Sequence, residues 1–262
     1  MSTTPTAASI AEDLLDEQAQ LDGLVCGLTG EQWQLDTPSP GWRIIEQIGH
    51  LAYFDHTAAM AIVDPNAFGD HVKQLADPGP KGDPTLARAR SLNPADLLSW
   101  WRECRTDLES AATTLGDKTR VEWYGPSMGA KSFLTARLME CWAHGTDIAD
   151  ALGESLQATD RIRHIVQLGV ITRGWTYINR GLPIPDGDVS VALTSPSGER
   201  WSWGATDAES SIAGTAVDFA MVTSQRRNVA DTSLVVEGHS AIDWLTKAQL
   251  FAGPPSDPPP PR

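Results

Sequence analysis

Four stretches between residues 8 and 153 return an apolar side chain every three or four positions, a period that amphipathic helices satisfy by packing on one another. The first, over residues 8–28, carries Ile10, Leu14, Leu21, Val25 and Leu28. A second runs from about residue 42 to 63 through Ile44, Ile45, Ile48, Leu51, Ala52, Ala59 and Ile62. Asn93 followed by Pro94 reads as an N-cap with proline at the first helical position, and opens a third stretch through Leu97, Trp100, Trp101, Cys104 and Leu108. Phe133, Leu134, Leu138, Cys141, Ile148 and Leu152 mark the fourth, which Gly153 stops. Asp64-Pro65 reads as the end of the second helix. The segment from there to Leu92, with its proline- and glycine-rich run from Asp77 to Pro84, reads as a long connection holding one short helical piece.

The period then changes. Residues 158–179 give one more helical pattern. Val189 to Leu193 and Arg200 to Trp203 alternate about the turn Ser195-Pro196-Ser197-Gly198, which predicts a β-hairpin. A helix over 216–223, a strand over 233–237 and a closing helix over 241–251 follow, an order that suits a small α+β layer. The expected fold class is therefore α+β in two domains: a helical bundle over residues 1–155 and an α+β domain over 156–252. The proline-rich tail, 253–262, is expected to be disordered or polyproline-like.

A formal net charge of −14 makes phosphate backbones and anionic headgroups poor partners. Residues 1–12 have neither the basic start nor the apolar run of a secretory signal, and no stretch is long and apolar enough to span a bilayer. Cys26, Cys104 and Cys141 are odd in number and lack framework spacing, so a reduced, cytoplasmic protein is expected. Most of the ten tryptophans are expected in the core.

One stripe of the fourth helix breaks the apolar rule. Phe133, Arg137, Glu140, His144, Ile148 and Ala151 share a face, so a guanidinium, a carboxylate and an imidazole point where apolar neighbours predict interior. Such groups need a partner, because burying them alone costs several kcal/mol. A divalent metal ion held by Glu140, His144 and His50 of the second helix is one solution. Two histidines and a carboxylate leave coordination positions open on zinc or ferrous iron. By spacing alone, a Glu140–Arg137 ion pair beside a satisfied core histidine fits equally well. Asp55 and Asp147 are candidates to receive an imidazole N–H. His56 is expected to point away from His50, His71, His164 and His239 lack partners at ligand spacing, and Cys141 reads as core.

The run Gly41-Trp42-Arg43-Ile44-Ile45-Glu46-Gln47-Ile48-Gly49-His50-Leu51, paired with Arg137-Leu138-Met139-Glu140-Cys141-Trp142-Ala143-His144-Gly145-Thr146-Asp147, resembles the metal-binding domain of mycothiol-dependent maleylpyruvate isomerases, within the DinB-like four-helix superfamily. The resemblance implies a four-helix bundle in which His50, Glu140 and His144 bind zinc. The C-terminal half resembles the family's second domain, similar to sterol carrier folds. Asp218 to Arg226 falls where relatives carry a helix ending in a functional arginine, although Gln225-Arg226-Arg227 departs from their Gly-Arg ending. The resemblance thus nominates Arg226 to clamp a substrate carboxylate.

The function expected is a metal-dependent isomerase or thiol transferase. It would activate a low-molecular-weight thiol such as mycothiol toward an electrophilic small molecule. Two alternatives remain open: a metal–water hydrolase or hydratase without thiol, and a non-catalytic metal- and ligand-binding module.

Overall fold

In the computed structural model, which describes residues 4–76 and 83–262, helix α1 (Ala7–Val25) starts from a reciprocal cap. Thr6 Oγ1 accepts from Ser9 N at 3.1 Å, and Thr6 N donates to Ser9 Oγ at 3.0 Å. Helix α2 (Ile44–Val63) ends at Asp64, and α3 (Pro65–Ala76) begins at once. Asp64 Oδ1 accepts from Ala67 N at 3.0 Å, so Asp64-Pro65 starts a helix as well as stopping one. This corrects the expected long connection, whose proline- and glycine-rich run lies outside the described residues from 77 to 82. Helix α4 (Ala87–Ser91) is one short turn; α5 (Pro94–Ala112) is capped by Asn93, whose Oδ1 accepts from Asp96 N at 3.0 Å. A two-residue ribbon, β1 (Arg120–Val121) against β2 (Met128–Gly129), leads into α6 (Ala130–Leu152). Gly153 ends α6 in the left-handed conformation, at φ 69°.

The four long helices pack α1 and α2 each against α5 and α6. Their inner faces bury Leu14, Leu21, Ile48, Leu51, Trp101, Phe133 and Leu138. At Gly49 the short helix α4 comes so close that an added methyl would collide with the Ala89 side chain. Residues 1–156 form one unit of the chain and residues 157–262 the other.

In the second unit the expected single helix over 158–179 is two, α7 (Ile162–Ile171) and α8 (Arg173–Ile178). Thr172 Oγ1 bonds back to Leu168 O at 2.7 Å, which competes with the helical ladder at that point. The hairpin β3 (Val189–Thr194) and β4 (Arg200–Trp203) is joined by a strand that alternation does not reveal, β5 (Ser210–Thr215). Helix α9 (Ala216–Thr223) follows it; β6 (Val235–Glu237) and α10 (His239–Leu245) complete the unit. The sheet order is β4-β3-β5-β6, with β3 and β5 parallel, Val191 opposite Ile212, and the outer pairs antiparallel. Val191, Leu193, Trp201 and Ile212 are buried from the sheet, with Phe219 of α9 set edge-on to Trp244 of α10. The α+β fold class holds.

The tail is not free. Gln225 takes a left-handed conformation, φ 59°, immediately beyond α9, the place glycine usually holds. Its Nε2 donates to Ala248 O at 3.0 Å and to Ser256 O at 2.8 Å, and its Oε1 accepts from Ser256 Oγ at 2.7 Å. Arg180 pairs with Asp257 at 2.9 Å, and Asn228 Nδ2 donates to Pro259 O at 2.8 Å. Of the two expectations for the tail, disordered or polyproline-like, these contacts argue against the first: prolines cannot donate, but side chains of the domain supply donors to carbonyls of the segment.

Candidate metal centre

Helix α2 presents His50, and α6 presents Glu140 and His144 one turn apart. Glu140 Oε2 lies 3.1 Å from His50 Nε2 and 3.1 Å from His144 Nε2, with all three potential ligand atoms within 4.8 Å of one another. Side-chain exposures of 16% for His50, 22% for Glu140 and 11% for His144 leave the group reachable from solvent, as a site that exchanges ligands requires. Trp42 stacks on the His144 ring at 5.7 Å and leans on His50 at 5.2 Å, while Phe54 packs against His50 at 4.5 Å.

The hydrogen bonds around His144 set its tautomer. Gln47, fully buried on α2, faces His144 Nδ1 through Oε1 and donates from Nε2 to Thr37 Oγ1 at 2.7 Å, with Asp147 Oδ2 at 3.5 Å. An amide oxygen accepts only, so Nδ1 carries the proton and the Nε2 lone pair of a neutral ring points at Glu140. A lone pair and a carboxylate oxygen 3.1 Å apart repel unless a cation lies among them. The donor set therefore fits a divalent metal ion.

Electrostatics favour the same state. Burial and the neighbouring His144 push His50 down to about 4 against the pull of Glu140, so it is neutral near pH 7. Burial alone would raise Glu140, but the two imidazoles that face it outweigh burial and hold the carboxyl well below the usual range. An ionised carboxylate beside a neutral imidazole is what a metal needs from its ligands.

The alternative ion pair between Glu140 and Arg137 is absent among the described residues; Glu140 faces the two imidazoles, and Arg137 Nη1 is buried without a hydrogen-bond partner. Asp55 does not serve His50. Its Oδ2 accepts from Gln18 Nε2 at 2.9 Å and Trp101 Nε1 at 3.2 Å in the core. Asp147 accepts from Ser39 Oγ at 2.8 Å and lies 3.5 Å from Gln47 Nε2. His56 and His239 are exposed. His71 Nε2 lies 2.8 Å from the Tyr53 hydroxyl, and Cys141 is buried with its thiol pushed well up by burial. Arg226 belongs to the second unit, where its Nη1 donates to Ser224 O at 2.7 Å. Sequence reasoning missed Gln47, although a glutamine on the apolar stripe Ile44, Gln47, Leu51 carried the same signal as the buried histidine.

Residues 14–149 match the family described as the mycothiol maleylpyruvate isomerase N-terminal domain. Two proteins described as uncharacterized, from two strains of Mycobacterium tuberculosis, are each 42% identical over 244 residues, spanning 93% of this chain and 95% of the relative. The crystal structure of the mycothiol-dependent maleylpyruvate isomerase superposes with a TM-score of 0.59 at 16% identity, covering 90% of this chain and 95% of that one. A histidine-to-alanine variant of that enzyme gives 0.57 at 17% identity, over 86% and 92%. With the family match extending over more than half of its residues, the chain belongs to the mycothiol maleylpyruvate isomerase N-terminal domain family.

Proposed function

We propose that the chain is a metal-dependent enzyme that activates a low-molecular-weight thiol, mycothiol in the first instance, for isomerisation of or transfer to an electrophilic small molecule. The observation that carries the reading is the convergence of His50 Nε2, His144 Nε2 and Glu140 Oε2, with the His144 tautomer set by Gln47. His50, Glu140 and His144 would hold the ion, taken to be zinc. When bound, a divalent ion supplies Lewis acidity, which lets a thiol lose its proton near neutral pH.

The protein's own groups do the rest. Gln47 keeps the His144 lone pair directed to the centre, and Trp42 and Phe54 wall the imidazoles and limit water. Arg226, in the second unit, is kept as the residue that the resemblance nominates to hold a substrate carboxylate. A thiolate adding to an activated cis double bond makes the former double bond a single bond free to rotate; expulsion of the same thiolate then returns the trans isomer, with no net consumption of thiol. Retention of the adduct makes the same site a transferase.

The test is cobalt-substituted protein titrated with mycothiol, alongside an absorbance assay of maleylpyruvate conversion with and without the thiol. The expected result is a thiol-dependent change in the cobalt spectrum and turnover, both lost in His50→Ala. A spectrum indifferent to thiol, with no turnover, overturns the reading.

A further inference from the structure

Arg137 lies on α6 three residues before Glu140, about 4.5 Å along the helix axis, and is only 5% exposed. Its guanidinium carbon sits 5.5 Å from the Phe54 ring and 5.5 Å from the Trp123 ring. Phe54 in turn packs on His50, with ring centroids 4.5 Å apart. The cation therefore stands in the wall beside the candidate metal centre.

Aromatic faces stabilise a cation but accept none of its in-plane N–H groups. Among the described residues no carboxylate or carbonyl takes them, and Nη1 is buried without any partner. Asp55 feels the Arg137 charge, yet no ion pair joins the two among the described residues, and its Oδ2 accepts from Gln18 and Trp101. A carboxylate in contact with a guanidinium is held low, whereas burial pushes Asp55 up to about 6 against the opposing effect of Arg137. The two groups do not satisfy each other.

We infer that Arg137 is an anion subsite of this centre that binds the carboxylate of a small unsaturated acid, its N–H fork on the carboxylate and Phe54 and Trp123 against the apolar remainder. The geometry argues for the class. A planar carboxylate matches the guanidinium fork, and the two rings offer apolar contact to a flat carbon chain. The inference rests on the proposed reading of the centre for the meaning of the bound acid, and it places a second carboxylate contact in the unit that holds His50, Glu140 and His144, separate from Arg226.

The experiment uses the full chain with crotonate as probe, crotonamide as its neutral counterpart and inorganic phosphate as a competing oxyanion, at constant ionic strength, read by tryptophan fluorescence and calorimetry. Wild-type protein is expected to bind crotonate at least tenfold more tightly than crotonamide or phosphate. Arg137→Met should bring crotonate down to the level of crotonamide, and Arg137→Lys, which keeps the charge without the fork, should fall between. Should Arg137→Met fail to fold, Asp55→Asn/Arg137→Met removes both buried charges and serves in its place. Equal crotonate affinity in wild type and the Arg137 variants overturns the subsite, as does tighter binding of phosphate than of crotonate. Metal-stripped wild type separates the two readings. Arg137-dependent crotonate binding in a chain that takes up no metal leaves the subsite standing and removes the metal centre; normal metal uptake with Arg137-independent binding does the reverse.

Discussion

Gln47→Leu should weaken metal binding more than it weakens the fold. The side chain is fully buried, and leucine matches its volume closely enough to avoid a cavity. Thr37 Oγ1 loses a donor but still donates to Trp42 O at 2.7 Å, and Asp147 still accepts from Ser39, so neither is stranded. His144 Nδ1–H is the group left without an acceptor. A buried unpaired N–H costs about 1–3 kcal/mol, which the metal-free protein escapes by moving the proton to Nε2 and donating it to Glu140. Metal binding must reverse that shift, so the same ~1–3 kcal/mol appears as a roughly 5- to 150-fold loss of affinity. Competition between the protein and a chelating dye, for zinc and for cobalt, measures the loss, and thermal melts of stripped protein measure the fold. Unchanged affinity with a lowered metal-free melting point would refute the tautomer argument, because Gln47 would then be supporting packing alone.

Other outcomes follow from the same geometry. Burial raises the Asp55 carboxyl from 3.8 to about 6, so its protonated form contributes stability in full below about pH 4 that is lost as pH rises through 6, about 3 kcal/mol in all. In urea melts, Asp55→Asn should therefore gain on wild type by about that amount between pH 4 and 7; a constant difference would show that Asp55 does not titrate there. Gly49→Ala should lower the melting point by forcing α4 off α2 at a cost of about 1–3 kcal/mol, with Ala89→Gly restoring most of it; an unaffected single variant would count against the close approach. Chelation should leave the helical circular dichroism signal intact, since the long helices bury their own apolar faces, and loss of helix on stripping would make the ion structural.

The helices that carry the centre were legible because burial writes a period into the chain, and a histidine or glutamate on that stripe is conspicuous against leucine and isoleucine. Gln47 obeys the same logic, but an amide has no chemistry of its own to draw notice. Local signals failed where one signature has two readings. Asn93-Pro94 and Asp64-Pro65 both start helices, yet the second also ends one, and the stop masks the start. Strand β5 was hidden by its small residues: Ser210, Ser211 and Gly214 have weak strand preference, and Gly214 is required where Leu234 crosses closely. The contacts of the tail are not legible, because proline content describes what a segment cannot do for itself, not what Gln225, Arg180 and Asn228 do for it.

The left-handed Gln225 ties two distant parts of the chain into one unit of inheritance. A non-glycine residue in that conformation carries strain on the order of 1–2 kcal/mol, and here it is offset by three hydrogen bonds to Ala248 and Ser256. A chain with glycine at the turn before the arginine has no strain to relieve and no side chain with which to grip a tail. Across relatives, the residue at the turn and the segment around Ser256 should therefore change together. Grafting the glycine alone would loosen the tail, whereas deleting the tail alone would leave a strained turn beside Arg226 without its compensation.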